Sequence, residues 1–195
     1  MMHRRYVRRA FLGAIVAVWC TTGTSGAQDV AAAPSAQRAP DVRYEPSEDE
    51  VVQVMLRLGG VKAGDVVYDL GCGDGRIVIT AAREAGARGV CVDIDPRRIA
   101  ESRENARKAG VSDRVEFRNE DLLTTEIGGA TVVMLFLSPE LNLKVRPRLL
   151  RELKAGTRVV SHWHDMGDWK PQESEFVQSG TRGRHVYLWT VPERQ

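Results

Sequence analysis

Seven consecutive residues, Asp69-Leu70-Gly71-Cys72-Gly73-Asp74-Gly75, set three glycines and two carboxylates between an apolar run and a helix-forming one. Glycines in such a turn let the backbone approach a flat or extended ligand closely, and the helix N-terminus beyond it offers N–H groups to a carboxylate. A pyrophosphate fits poorly. In the G-x-G-x-x-G register that cradles one, the last position falls on Arg76 counted from Gly71 and on Val78 counted from Gly73, and Asp74 repels phosphate. The Asp74 carboxylate suits an ammonium, and Asp69 either serves the same positive group or braces the loop. Asp93, next to Ile94, follows Gly71 by 22 residues, close to the roughly 20 expected of an acid that grips a ribose diol. Asp95 competes for that role but is better explained as a helix cap, because Pro96 follows it. In Asn119-Glu120-Asp121-Leu122, Asp121 is placed to accept from an adenine amino group, with Leu122 covering the ring.

The elements that must hold these residues alternate. Val66–Leu70, Gly89–Asp93, Val115–Asn119, Thr131–Leu137 and Thr157–His162 read as strands; 76–85, 96–109 and a proline-interrupted 139–153 read as helices. Strand, helix, strand in repetition means a parallel sheet covered on both faces, whose ligands bind at the carboxyl ends of the strands. Ser47-Glu48-Asp49-Glu50 has the spacing of a capping box ahead of an amphipathic helix ended by Gly59-Gly60. At the other end, 175–178 and 185–191 around Gly180-Thr181-Arg182-Gly183 read as an antiparallel hairpin. The expected fold is a doubly wound, Rossmann-like, mostly parallel seven-stranded α/β sheet closed by that hairpin.

A nucleoside with an amino-acid end and a positive charge is S-adenosylmethionine, and the hairpin separates its fold from a plain dinucleotide fold. From about Tyr44 to Val191 the chain resembles bacterial class I methyltransferases. Within them it is similar to relatives of the mitochondrial lysine methyltransferases that modify adenine nucleotide translocase and an ATP synthase subunit. The carrying residues are Tyr44-Glu45-Pro46-Ser47, the stretch Val67 to Val78, and Thr157-Arg158-Val159-Val160-Ser161. The resemblance implies that Tyr44 and Ser47 close over the cofactor's methionine end; the family usually has Pro-Thr where this chain has Pro46-Ser47, which keeps the hydroxyl. The cofactor set is then Tyr44, Ser47, Asp69, Gly71, Cys72, Gly73, Asp74, Gly75, Asp93, Ile94, Asp121 and Leu122.

Methyl transfer asks the protein to align the acceptor, exclude water and, for an amine, see that it is deprotonated. The acceptor is expected at Phe136-Leu137-Ser138-Pro139-Glu140, which lacks the acid or amide, the second proline and the aromatic residue of enzymes that methylate nucleic-acid amino groups. Phe136 and Ser138 are substrate-side candidates. Glu140 is the candidate proton acceptor, or equally a first-turn acid favouring the helix dipole. His162 and Trp163, in Ser161-His162-Trp163-His164, could shape an acceptor pocket or cage a cation. The basic residues Arg146, Arg148, Arg151 and Lys154 read as a solvated face without aromatic interleaving. A short loop at 163–172 leaves the edge open and favours a protein acceptor over a small molecule.

The chain begins with Arg4, Arg5, Arg8 and Arg9, an apolar run from Phe11 to Trp19 and the small-residue site Ser25-Gly26-Ala27. That reads as a cleaved signal peptide or an anchor over 1–27, and Arg8-Arg9-Ala10-Phe11-Leu12 resembles the twin-arginine export signal. An Ala-, Pro-, Ser- and Gln-rich linker follows over 28–43, with the domain over 44–195. Four of the 28 basic residues and none of the 26 acidic ones precede Ala27. The remaining 24 against 26 give a net charge of −2, no reason to expect nucleic acid or acidic lipid as partner. The protein is expected to be periplasmic, secreted or membrane-anchored, touching membrane only through its N-terminal segment. Cys72 and Cys91 are expected as free thiols, and no spacing suggests a metal. The competing readings are a noncatalytic binding domain of the cell envelope and a dinucleotide oxidoreductase.

Overall fold

The computed structural model describes residues 44–194; the expected leader and linker lie outside the described residues. The chain runs α1 (Asp49–Leu58), β1 (Val66–Leu70), α2 (Arg76–Ala85), β2 (Arg88–Asp93), α3 (Pro96–Lys108), β3 (Val115–Asn119), β4 (Val132–Leu135), α4 (Pro139–Glu152), β5 (Arg158–His162), β6 (Glu173–Ser179) and β7 (Arg182–Thr190). The strands form one sheet in the order β3-β2-β1-β4-β5-β7-β6. Strands β1 to β5 are parallel, β7 returns antiparallel to β5, and β6 pairs antiparallel with β7. The order reverses beside β1, which lies between β2 and β4, so a crevice opens where the chain leaves β1 and β4.

Alternation along the strands divides the core between the two faces. Val67, Cys91, Val132, Met134 and Val160 meet Val51 and Met55 of α1, Ile77 and Val78 of α2, and Ile99 and Ala106 of α3. Leu70, Val92, Val133, Leu135 and Val159 meet Leu141, Val145 and Leu149 of α4, with Ile127 and Trp189. Strands buried on both faces carry continuous apolar runs, which is what Val66-Val67-Tyr68 and Val132-Val133-Met134-Leu135 are.

Several local expectations change. Asp95 caps α3 by accepting from the Arg97 N–H at 2.9 Å, with Pro96 in the first turn. The capping box at Ser47 does not form: Glu48 is the N-cap of α1, without a side-chain cap bond, because the Ser47 hydroxyl is held elsewhere. Helix α4 continues through Pro147 over all 14 residues, since its apolar stripe stays seated on the sheet across the missing hydrogen bond. Strand β4 stops at Leu135, short of Leu137, and β6 and β7 extend to a two-residue turn at Gly180-Thr181, with Ser179 opposite Arg182. There Gly183 lies under the Phe176 ring, where a Cβ would come within 2.2 Å of it.

At the end of the sheet opposite the crevice, Asp65 is almost fully buried. It accepts from the Thr131 hydroxyl at 2.7 Å, from the Lys62 N–H at 2.9 Å and from Arg158, whose guanidinium also donates to the Gly59 and Gly60 carbonyls. Burial opposes ionisation of Asp65, but the Thr131 and Lys62 hydrogen bonds and the Arg158 charge together hold its carboxyl below the usual range. Arg158→Met leaves that carboxylate without its cation and is expected to lower unfolding stability by about 2 kcal/mol, less than a fully buried pair because Arg158 is partly solvated. Denaturant unfolding alongside a ligand titration checks this; a loss of ligand affinity greater than the loss of stability would contradict the separation of this cluster from the crevice.

Candidate active site

The loop after β1 is fastened to β2 by four links from three consecutive residues. The Val92 carbonyl accepts from the Gly71 and Cys72 N–H groups at 2.8 and 3.0 Å, and Asp93 Oδ2 accepts from the Gly73 N–H at 2.9 Å. The fourth is covalent: Cys72 and Cys91 form a disulfide, with Cα atoms 5.3 Å apart, which overturns the expectation of free thiols. Cys91 stands opposite Asp69 in the β1–β2 register, and the loop folds back far enough to bring Cys72 over it. Gly71, Gly73 and Gly75 all have positive φ, at 86°, 55° and 79°. At Gly73 a Cβ would lie 2.3 Å from the Tyr44 ring, so this glycine is required by both conformation and contact.

Asp69, Asp74 and Asp93 lie close together at this loop, with different commitments. Asp69 is 2% exposed and its Oδ2 has no hydrogen-bond partner. Burial first, then the Asp93 and Asp74 charges, push its carboxyl well above the usual range. Asp74 is already paired: Arg76 forks onto both its oxygens through Nε and through Nη2 at 2.7 Å, and reaches the Ser47 carbonyl with its other nitrogen. Burial opposes ionisation there too, but the Arg76 bonds and charge hold Asp74 below the usual carboxylate range. Asn105 donates to the Asp74 carbonyl. Asp93 spends one acceptor position of each oxygen on backbone, on Gly73 and on the Asp95 N–H, and Asn119 ties β3 to the Asp93 and Ile94 carbonyls. Asp121 closes a turn by accepting from the Leu123 N–H at 2.8 Å, and the Leu122 carbonyl accepts from Arg148. The half-exposed Tyr44 ring has the Arg98 guanidinium 4.1 Å from its centroid.

A recess beside the loop is lined by Tyr44, Ser47, Asp69, Gly71, Cys72 and Phe136, among others. Behind it lies His162, 1% exposed. Its Nδ1 is 2.9 Å from the Ser47 hydroxyl, its ring lies 4.0 Å from Phe136, and its Nε2 has no partner. Burial, and among the charges Arg184 and His164 against an opposing Glu48, hold this imidazole at a pKa of about 4, so it is neutral at physiological pH. Trp163 follows with φ 73°, the one positive value outside glycine among the described residues. It is the centre of a γ-turn closed by the His164 N–H on the His162 carbonyl at 2.9 Å. Such a backbone costs of order 1 kcal/mol and persists where its surroundings dictate it. Here Asn142 of α4, fully buried, donates to the Ser161 hydroxyl and the His164 and Asp165 carbonyls, and Ser161 donates to the His164 carbonyl at 2.7 Å. Ser138 caps α4 by accepting from the Leu141 N–H, and Glu140 stands exposed in its first turn, its carboxyl kept low by its own N–H and by Ser138. Among the acceptor candidates, Phe136 alone lines the recess.

The family model described as the ANTKMT methyltransferase domain matches residues 69–173, the span from the Asp69 loop to the start of β6. The chain belongs to that family. It is 41% identical over 157 residues to a protein-lysine N-methyltransferase of Saccharolobus islandicus, covering 80% of this chain and 98% of that protein. It is 32% identical to the adenine nucleotide translocase lysine N-methyltransferase of Mus musculus, covering 71% of this chain and 61% of the relative. Among solved structures, an RNA methyltransferase from Salinibacter ruber in complex with S-adenosyl-L-homocysteine superposes with a TM-score of 0.73 at 50% identity, over 77% of this chain and 96% of that one. The protein is an S-adenosylmethionine-dependent methyltransferase, and the dinucleotide reading falls.

The residues present suit that cofactor. Asp69 Oδ2 is a buried acceptor without a partner, whose charge an arriving cation would stabilise, and the glycines leave a cradle that a Cβ at Gly71 would fill, 2.9 Å from Leu137. Composition pointed to Asp74 for the ammonium and missed Arg76, whose place directly after the last glycine was the available signal. It also missed Asn142, a lone buried amide on the apolar stripe of α4. In this methyltransferase the unfolded histidine near pKa 6.5 takes up a proton that folded His162 refuses until about 4. Stability from His162 is therefore complete above pH about 6.5 and is lost as pH falls toward about 4, by about 3 kcal/mol in all. Unfolding at pH 7 and at pH 4.5 is expected to show that loss in the wild type and a smaller one in His162→Asn; equal losses would contradict it.

Proposed function

We propose that the enzyme transfers the methyl group of S-adenosylmethionine to the ε-amine of lysine in a protein. The bound cofactor supplies an electrophilic methyl group on a sulfonium. Around it, Asp69 takes the ammonium of the methionine end, while Asp74, locked by Arg76, shapes the loop and presents the α2 N-terminus to the carboxylate. Asp93, with acceptor positions left on each oxygen, takes the ribose hydroxyls. Asp121 and Leu122 take the adenine, and Tyr44 and Ser47 close the methionine end. The observation that carries the cofactor assignment is the buried, unpartnered Asp69 oxygen beside the glycine cradle.

Lysine is favoured by the Saccharolobus islandicus relative, matched over almost its whole length. The description of the Salinibacter ruber protein offers RNA as the second reading. Against it, three of the four basic residues of α4 are internally engaged. Arg146 holds the Met166 carbonyl and Asp168, Arg148 holds the Leu122 and Thr125 carbonyls and Glu152, and Arg151 holds Glu152. Full chain with labelled cofactor is expected to methylate poly-L-lysine or an envelope protein extract and not RNA; label in RNA alone, or in neither, would sink the lysine reading. Gly73→Ala and Asp93→Ala are each expected to weaken S-adenosylhomocysteine binding by about tenfold or more, at roughly 1.4 kcal/mol per decade. Unchanged affinity in both would refute the site.

The same reading places the enzyme outside the cytoplasm, carried by the leader over 1–27. The Cys72–Cys91 disulfide supports it, because such bonds persist in oxidising compartments and are rare in reducing ones. Alkylation of protein taken directly from cells is expected to leave both cysteines unmodified unless a reductant is added first. Two alkylated thiols in the untreated protein would count against export.

A further inference from the structure

The carboxyl end of β5 holds a charge that cofactor binding leaves unused. The Arg184 guanidinium carbon lies 3.2 Å from the centroid of the Trp163 ring, and His164 stacks on the same indole at 4.7 Å. Trp163 is 38% exposed, and its strained turn is fixed from two sides, by Asn142 and by its own N–H on the His185 carbonyl at 2.7 Å. Among the described residues no carboxylate pairs with Arg184. Arg184 is thus a cation on β7 held on an aromatic face. Strand β7 lies beside β5, which ends at His162, and two strands from β4, after which Phe136 follows.

Neighbouring bases register its field. His164 is held below the usual histidine range by burial first and then by Arg184, ahead of the opposing Glu140 and Asp165. At His162 burial again dominates, and Arg184 and His164 act against Glu48. The charged and titratable groups around this rim include Glu45 and Glu48 before α1, Glu140 at the start of α4, His162 at the end of β5, His164 and Asp165 after it, and Arg184, His185 and Tyr187 on β7. None is a buried carboxylate able to take a proton from an ammonium.

We infer that Arg184, clamped on the Trp163 indole, is a positioning residue for methyl transfer that holds the incoming acceptor amine in its neutral, nucleophilic form. This rests on the amine-acceptor reading above. At pH 7 a lysine amine of pKa ≈ 10.4 is neutral in roughly four molecules of ten thousand, and only that form has the lone pair. The amine nitrogen forms its bond to the methyl carbon as the carbon–sulfur bond breaks and its electron pair passes to sulfur. The methylated ammonium then gives one proton to water. A nearby cation disfavours the protonated amine without accepting anything from it. Arginine suits this because it stays charged at every pH where lysine titrates.

The test uses the full chain as wild type, Arg184→Gln, Arg184→Lys and Trp163→Leu, with poly-L-lysine as acceptor. In Arg184→Gln the rising limb of kcat against pH is expected to move up by about one unit, with about tenfold lower kcat at pH 7, KM unchanged or lower, and convergence at high pH. Arg184→Lys restores the limb below the pH where that lysine itself titrates, and Trp163→Leu, which frees the arginine, shifts it partway. A second probe needs no acceptor: the cofactor analogue in which a carbon bearing a primary amine replaces the sulfur bearing the methyl group. Its affinity relative to S-adenosylhomocysteine is expected to gain at neutral pH in Arg184→Gln. Superimposable profiles with both probes would overturn the assignment. A shift with the analogue but no methylation of poly-L-lysine would keep Arg184 and refute lysine as acceptor.

Discussion

The Val92 carbonyl is the point on which the site is built. By accepting both the Gly71 and Cys72 N–H groups it folds the chain leaving β1 back over β2, and no residue with a side chain at 71, 73 or 75 adopts the resulting positive φ values without strain. From that turn the rest follows. It brings Cys72 to Cys91, sets the Gly73 N–H on the Asp93 carboxylate and so orients it, and opens the flat ground on which Tyr44 lies. It also sets the start of α2, where Arg76 binds Asp74 back onto the loop. A slip of one residue in the β1–β2 register would put Asp69 and Asp93 on opposite faces of the sheet, since neighbouring side chains on a strand face opposite sides. Burial on both faces of the central strands forbids that slip.

The crevice is electrically divided. On the β1–β2 side three acids crowd together, and Asp69 is driven toward its neutral form by burial and by the other two. On the β5–β7 side two histidines are driven toward theirs, with Arg184 contributing at both. One side thus favours an arriving cation and the other disfavours protonation of an arriving base. A reaction between a sulfonium cofactor and an amine needs both, and Phe136 and Ser47 stand between the halves as uncharged walls. Each half keeps its bias because its groups are shielded from water, where the same pairs would interact far more weakly.

What was legible in the sequence was local or periodic. Continuous apolar runs gave β1 and β4, Asp95-Pro96 resolved which of two acids caps α3 and left Asp93 to the crevice, and the glycines gave the hairpin. What was not legible depended on residues far apart in the chain. The Ser47 hydroxyl looked like a helix cap and is bound to His162, 115 residues away. Cys72 and Cys91 have no disulfide-scaffold spacing and meet only because the loop reverses over β2. Asn142 is a polar residue on the buried face of α4, and its purpose appears only when the chain after β5 delivers the carbonyls of His164 and Asp165 to it. The strand ends slipped for the same reason, because ladder hydrogen bonds decide them rather than propensity.

The placement of strain shows which half of the site must be rigid. Glycine absorbs every unusual backbone angle on the cofactor side at little enthalpic cost. On the other side the chain puts tryptophan at φ 73° and spends a buried asparagine, a serine and a backbone bond to β7 on keeping it there. A glycine at 163 would give the same turn more cheaply, so the cost is borne for the indole. Its occupied face holds the Arg184 guanidinium, and a cation held by an aromatic plane keeps its charge uncompensated, whereas one held by a carboxylate does not. The strained turn is therefore intelligible as the means of fixing a positive charge beside the place where an amine must lose its proton.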